Sequence, residues 1–261
     1  MARTATRRLN VFVTGASSGI GAALARRYAA QGAQLGLFAR RAEALAAVAA
    51  TLAPAVPAVY VGDVRDADVL RSAAADFIAR HGAPDIVIAN AGISRGTLTE
   101  YVEDNAVFRA ILDTNVLGVL YTLQAFLPAM RSARKGKLVG IASVAGFRGL
   151  PGAGAYSAAK AAAINYLESL RVELVGSGVD VITICPGYVA TPMTAGNPYR
   201  MPFLISPERA AMLIARAIAA GRRFYILPWQ LQWLGRAFRV LPRPIFDWLL
   251  ADALRKPRGE A

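Results

Sequence analysis

One cysteine and one histidine in 261 residues leave little for thiol or metal chemistry. A lone Cys185 forms no intrachain disulfide, and its place in the apolar run 179–185 points to burial rather than reactivity. A zinc site of the usual nitrogen and sulfur type has too few ligands, so no metal is expected. His81 precedes Gly82 where a helix should give way to a strand, a place for a surface or capping role. No uninterrupted apolar run reaches the roughly eighteen residues that a bilayer span requires. The basic N-terminus leads into a strand-like segment rather than a cleavable apolar one, so the expected location is cytoplasmic. Acidic residues are also scarce, 17 against 30 basic, giving a net charge of +13. The basic residues are scattered in pairs such as Arg26-Arg27, Arg40-Arg41 and Arg222-Arg223, and no nucleic-acid module is read from them. Their excess favours acidic ligands, cofactor phosphates included, and anionic surfaces.

What is abundant is apolar: 55% of the residues are hydrophobic, ample for a large core. The length suits one α/β unit. Val/Ile/Leu-rich runs at 9–14, 33–39, 57–62, 84–89, 136–142, 179–185 and 223–227 read as strands. Between them lie helix-forming stretches at 19–31, 41–52, 66–80, 103–132, 154–176 and 207–220. Continuously apolar strands separated by helices predict a parallel sheet covered on both faces, the doubly wound, Rossmann-like α/β class. No short-period repeat interrupts this order, and Ala42–Ala50 has good helix propensity.

Two local patterns carry chemistry. Strand 9–14 runs into Thr14-Gly15-Ala16-Ser17-Ser18-Gly19-Ile20-Gly21 and then an Ala-rich helix. Glycines remove side chains that would hold a pyrophosphate off the backbone, and the helix offers free N–H groups and the positive end of its dipole. Strand, loop and helix in that order make a dinucleotide loop. The second pattern is Tyr156-Ser157-Ala158-Ala159-Lys160, with Ser143 thirteen residues before the tyrosine at the end of a strand. Positions i and i+4 share a helix face, so the Lys160 ammonium can stand beside the Tyr156 phenol and favour its ionised form.

Together these motifs resemble the short-chain dehydrogenase/reductase family, of the single-domain type with a Thr-Gly-x-x-x-Gly-x-Gly loop. The resemblance runs from about Asn10 to Ile226 and includes Asp63-Val64, Asn90-Ala91-Gly92, Asn115, Ser143, Tyr156 with Lys160, and Pro186-Gly187 followed by Thr191. It implies seven strands in the order 3-2-1-4-5-6-7. It implies that Asp63 and Val64 flank the adenine, that Asn90, Ala91 and Gly92 lie against the cofactor, and that Pro186, Gly187, Val189 and Thr191 lie beside the nicotinamide. Asn90 can equally tie strands together. Residues and resemblance jointly imply hydride transfer between nicotinamide and a carbonyl or secondary alcohol, with Tyr156 as acid and base. Ser143 would hold the carbonyl oxygen, and Lys160 the tyrosine and the nicotinamide ribose. Asn115 resembles the residue that anchors a water leading from Lys160 to solvent; it also reads as a helix polar group satisfied by backbone.

Cofactor choice is read at the end of the second strand, where a carboxylate would hold the ribose 2′-hydroxyl of NAD. The sequence there is Ala39-Arg40-Arg41. A guanidinium without a carboxylate predicts NADP(H) in preference to NAD(H). Arg40 is expected on the 2′-phosphate, Ser17 can add a hydroxyl, and Arg41 is either a second contact or a surface residue. Ser94, Arg95, Phe147, Arg148, Tyr188 and Met193 are expected around the substrate, a mixture suited to an apolar carbonyl compound with an acidic or polar end. A non-catalytic dinucleotide-binding redox sensor is the alternative function.

The resemblance weakens after Pro228, which divides a dinucleotide-binding and catalytic unit, 1–228, from a C-terminal extension, 229–261. Trp229, Trp233, Leu234, Phe238, Leu241, Ile245, Phe246, Trp248 and Leu249 recur there at helical spacing, with Arg236, Arg239 and Arg243 between. Pro228, Pro242 and Pro244 predict a short helix, a break and another short helix. Three readings stand: a flap over the substrate pocket, a subunit contact in a homodimer or homotetramer, or a peripheral anchor on an anionic inner-membrane surface.

Overall fold

The computed structural model describes residues 8–251 and 255–258, with the backbone alone for Leu234 and residues 236–239. The expectations for the side chains of Leu234, Arg236, Phe238 and Arg239 lie outside the described residues. Strands and helices alternate as β1 (Asn10–Thr14), α1 (Gly19–Ala29), β2 (Gln34–Ala39), α2 (Ala42–Ala50), β3 (Ala58–Val61), α3 (Ala67–His81) and β4 (Ile86–Ala89). Then come α4 (Asp104–Leu112), α5 (Gly118–Ser132), β5 (Gly136–Ile141), α6 (Gly154–Glu173), β6 (Val179–Pro186), α7 (Pro207–Ala219) and β7 (Phe224–Leu227). The tail adds α8 (Gln230–Val240) and α9 (Arg243–Leu250), parted at Leu241 and Pro242.

All seven strands are parallel, in the order β3-β2-β1-β4-β5-β6-β7. Alternation along each strand sends neighbours to opposite faces. Val11, Val13, Leu37 and Ile88 pack with Leu24 of α1, Leu45 of α2 and Ile214 of α7. Phe12, Phe38 and Val87 pack with Phe77 of α3, Phe126 of α5 and Leu167 of α6. Phe12 is the hub of the second layer, 4.6 Å from the Phe126 ring and 5.5 Å from Phe77. Truncating such a buried ring to alanine typically costs about 3–5 kcal/mol. Edge strand β3 alternates half-buried and exposed residues because a helix covers it less completely.

Local chemistry fixes the helix ends. The Asp66 carboxylate caps α3 by accepting from the Asp68 and Val69 amides. Ser206 does the same for α7 through Arg209, and Pro207 at the first helical position gives up no needed N–H. His81 ends α3 with its ring against Phe77, and Gly82 turns the chain with φ of 76°.

The expected continuous helix at 103–132 is divided. Residues Asp113–Leu117 form a π-helical turn between α4 and α5, and Asn115 lies in it. By length and composition 104–132 could cross a bilayer, yet half of it is buried inside the protein, where Ile111, Leu123 and Phe126 join the core. The chain leaves β1 toward β2 and β3 on one side and resumes at β4 on the other. Loops beyond the C-terminal ends of β1 and β4 therefore diverge and open a crevice, the usual place for a ligand in such sheets.

Candidate active site

The crevice begins over β1. The Gly21 position in α1 lies directly under the Gly15 carbonyl, so close that any Cβ would collide with it. Ser18 precedes α1 without capping it; its hydroxyl accepts from Arg41 Nη2 at 2.9 Å, and Ser17 accepts from the same nitrogen at 3.2 Å. First-turn amides of α1 thus remain directed out of the helix end toward the crevice. Arg40 lines the same end of the crevice, and its Nη1 lies 3.5 Å from Asp63 Oδ2. Asp63 is gripped further by Arg65, whose Nε and Nη2 stand 3.0 and 2.8 Å from the same oxygen. Arg41, rather than Arg40, reaches over the glycine loop, because the carboxylate two strands away draws Arg40 aside.

Asp63 itself is not among the residues lining the crevice, although Gly62 and Val64 on either side of it are. Asn90 stitches β4 to β1: its side-chain amide donates to the Thr14 carbonyl at 3.0 Å, and its backbone N–H to Thr14 Oγ1 at 3.1 Å. Ala91 and Gly92 continue along the wall. Val189 is buried and bridges to Ile205, which holds the segment carrying Pro186, Gly187 and Thr191 against the opposite wall.

Ser143 follows β5, and α6 crosses behind it with Tyr156 and Lys160 on one face. The Ser143 and Tyr156 hydroxyls are hydrogen-bonded. Ser143 Oγ also accepts from the Ala145 amide at 3.1 Å. Burial raises the Tyr156 pKa above the ordinary phenol value, more than the Ser143 hydrogen bond lowers it. Lys160 Nζ donates to the Ile141 carbonyl at 2.8 Å and lies 5.8 Å from the Tyr156 ring centroid. Its pKa is lowered to about 8, chiefly by burial. In the ligand-free protein burial thus sets the direction for the phenol, and the Ser143 hydrogen bond rather than the ammonium opposes it.

Asn115 lies in the π-helical turn, with its side chain turned to the loop after β4. Its Oδ1 accepts from the Ile93 N–H and its Nδ2 donates to the Ile93 carbonyl, both at 2.9 Å. The side chain fastens the loop after β4, and Asn115 does not line the crevice.

The crevice has a volume of about 730 Å³. Glycine loop, Arg40 and Arg41 lie at one end, while Ser94, Arg95, Phe147, Arg148, Tyr188 and Met193 line the other. Among the described residues of the tail, Leu231, Gly235, Phe246, Leu250 and Lys256 also line it. The helical stripe announced that this segment needs a surface, but nothing local to Lys256 marked it as a site residue. A separate cavity of about 450 Å³ lies at the other end of the sheet, beside Leu9, Asp85 and Lys137, away from this chemistry.

The tail's apolar residues divide. Leu231 is buried with Ala142, Ile164, Cys185 and Ile226, and Phe246 is buried beneath the Arg148 guanidinium, 4.1 Å from its ring centroid. Trp229, Trp233 and Trp248 are 65%, 66% and 77% exposed, so most of their surface faces outward. Leu231 and Gly235 occupy the inner face of α8, and helical spacing turns Trp229 and Trp233 away from it.

Glycine floor, helix amides and adjacent guanidinium fit a dinucleotide pyrophosphate and its ribose. Comparison with known proteins agrees. A family model described as short chain dehydrogenase matches residues 9–200. An uncharacterised oxidoreductase of Myxococcus xanthus is 42% identical over 238 residues, 90% of this chain and 93% of that protein. A short-chain dehydrogenase from Burkholderia cenocepacia, solved in complex with NADP, is 26% identical with a TM-score of 0.80, covering 94% of this chain and 98% of that one. One from Burkholderia phymatum, solved in complex with NAD, is 25% identical with a TM-score of 0.79, covering 97% and 98%. Sequence, sheet order and family model converge, and the chain belongs to the short-chain dehydrogenase/reductase family of oxidoreductases.

Proposed function

We propose that the protein is an NADP-preferring carbonyl reductase or alcohol dehydrogenase in which Tyr156 exchanges the proton. The observation that carries this reading is the Ser143–Tyr156 hydrogen bond at the end of β5, with Lys160 buried on the same helix face. When bound, a nicotinamide dinucleotide supplies or accepts the hydride. Ser143 holds the carbonyl oxygen by hydrogen bonding, where negative charge grows as the carbonyl is reduced. Tyr156, kept protonated by burial, donates its proton to that oxygen, and in the oxidative direction takes it back. Lys160 supplies positive charge behind the phenol and hydrogen bonds toward the cofactor ribose.

The preference for NADP rests on Arg41. Its guanidinium spans the Ser17 and Ser18 hydroxyls, Ala39 supplies no carboxylate, and the nearby Asp63 is already paired with Arg40 and Arg65. A 2′-phosphate would meet the guanidinium and both hydroxyls; a bare ribose would leave that charge unused.

Transfer of deuteride tests the reading. Purified protein is given NADPH deuterated on the nicotinamide C4, one face at a time, and a panel of ketones, aldehydes and quinones. Deuterium on the carbinol carbon of an alcohol product, from one face only, is the expected result. Tight NADPH binding without labelled product from any carbonyl compound would leave the redox-sensor function instead.

A further inference from the structure

Residues 255–258 cross the substrate end of the crevice as a strap. The Gly96 amide donates to the Pro257 carbonyl at 3.0 Å, and Gly96 pairs with Arg258 as a parallel bridge. Arg258 forks onto Asp104, with Nε 3.0 Å from Oδ2 and Nη2 3.1 Å from Oδ1, and its guanidinium lies 3.5 Å from the Tyr101 ring centroid. Glycine makes room for the approach: a Cβ on Gly96 would stand 2.6 Å from the Pro257 carbonyl oxygen, and one on Gly152 would stand 2.7 Å from Arg255 Cβ. These anchors flank the site, and what they deliver into it is Lys256.

Lys256 Nζ donates to Ser94 Oγ at 2.8 Å and lies 6.0 Å from the Tyr156 ring centroid. The setting is one-signed. Arg40, Arg41, Arg95, Arg148, Lys160 and Lys256 line the crevice, and among the described residues no carboxylate does. Arg40 and Arg41 stand at the glycine-loop end, and Lys160 sits behind Tyr156 with Nζ donating to the Ile141 carbonyl. Arg148 donates to the Leu241 carbonyl at 3.0 Å and covers Phe246, so it braces the wall between α8 and α9. Lys256 meets only a neutral hydroxyl in its hydrogen bond with Ser94. Its pKa is lowered to about 8, by burial first and then by the charge of Arg95, as befits a cation in a crevice that no carboxylate lines among the described residues.

We propose, building on the reductase reading of the same site, that the substrate is a carbonyl compound carrying a carboxylate, and that Lys256 on the C-terminal strap binds that carboxylate while Ser143 and Tyr156 hold the reacting oxygen. Ser94 orients the ammonium, and Arg95 adds positive potential at the same end. A charge-assisted hydrogen bond in a partly buried setting discriminates an acid from its neutral ester by about tenfold or more.

The test uses the full-length chain with NADPH and a series of aliphatic oxo carboxylic acids of increasing length, each paired with its methyl ester. The readout is the ratio of kcat/KM for acid over ester. In the wild type at least one pair should favour the acid by about tenfold or more. Lys256→Met should bring that ratio close to one through loss on the acid side, and Lys256→Arg should restore it. Arg258→Ala, which unfastens the strap from Asp104, should also lower the ratio. If no acid surpasses its ester, or if Lys256→Met slows acid and ester alike, Lys256 is no carboxylate receptor; uniform slowing would mean that it acts on Tyr156 or only secures the strap. Absence of turnover with every acid, ester and simple ketone would overturn the reductase reading together with this one.

Discussion

Among the described residues no carboxylate or imidazole lines the crevice to take the Tyr156 proton; the phenol has Ser143, a buried setting and two ammonium groups, Lys160 and Lys256, at 5.8 and 6.0 Å from its ring. Burial keeps the phenol protonated in the ligand-free protein. Replacing it by phenylalanine removes the proton and little else, so Tyr156→Phe should lower turnover by about 10²–10⁴-fold while the Kd for NADPH changes little. Lys160 offers a pH signature. Its folded pKa is lowered to about 8, so the ammonium is present below that value and lost as pH rises through it. NADPH titrations should show Kd flat on the acid side of this value and rising on the alkaline side. Lys160→Met should remove the rise; Lys256→Met, at the substrate end, should keep it. At the phosphate end, Arg41→Ala should weaken NADPH relative to NADH by about tenfold or more, and Arg40→Ala by less, because Arg40 is tied to Asp63. The choice between these two arginines was not legible in the sequence. Both follow the same strand, and an acidic side chain from the end of β3 decided which of them points at the loop. Asn115 also reads from its residue type as a group tied to backbone, and its two bonds to Ile93 make that tie.

At the scale of elements, the central strands such as β1 and β4 were legible because they are buried on both faces and therefore continuously apolar, and the glycine loop because it sits between β1 and α1. The π-helical turn at Asp113–Leu117 was not, since one extra residue in a turn leaves no Pro break between the apolar residues of α4 and α5. The strap was not legible either. Lys256 and Ser94 are 162 residues apart, and no local periodicity reports such a contact. Its anchor carries a pH dependence of its own. Asp104 is held below the ordinary carboxylate value, first by the Arg258 hydrogen bond and then by the Leu98 amide. A depressed carboxylate pKa means that docking is at full strength above the ordinary value and weakens as pH falls through the folded one. Hydrogen exchange at the Gly96 amide, which donates to Pro257, should therefore quicken in acid relative to core amides. Asp104→Asn should quicken it at neutral pH and remove the acid step; unchanged exchange would deny the anchor its role.

The whole molecule joins a core unit of clear pattern to a tail whose faces have opposite fates. Leu231 and Phe246 close the crevice from inside, while Trp229, Trp233, Val240, Ile245, Trp248 and Leu249 stay exposed on the outside. An apolar stripe of that extent usually meets protein, so a homodimer or homotetramer through the tail is the expected assembly. Replacing Trp229, Trp233 and Trp248 by serine should then reduce the oligomer seen by light scattering. A peripheral membrane role predicts instead an unchanged oligomer and salt-sensitive sedimentation with anionic vesicles, which the net charge of +13 would favour. The most direct test of the account as a whole is turnover of a carbonyl compound by NADPH, measured for the wild type and Tyr156→Phe at matched cofactor saturation. Consumption of NADPH in proportion to alcohol formed, nearly abolished in the variant while NADPH still binds, is the result predicted. Equal rates in the two proteins, or binding of NADPH with no carbonyl reduction in either, would contradict it.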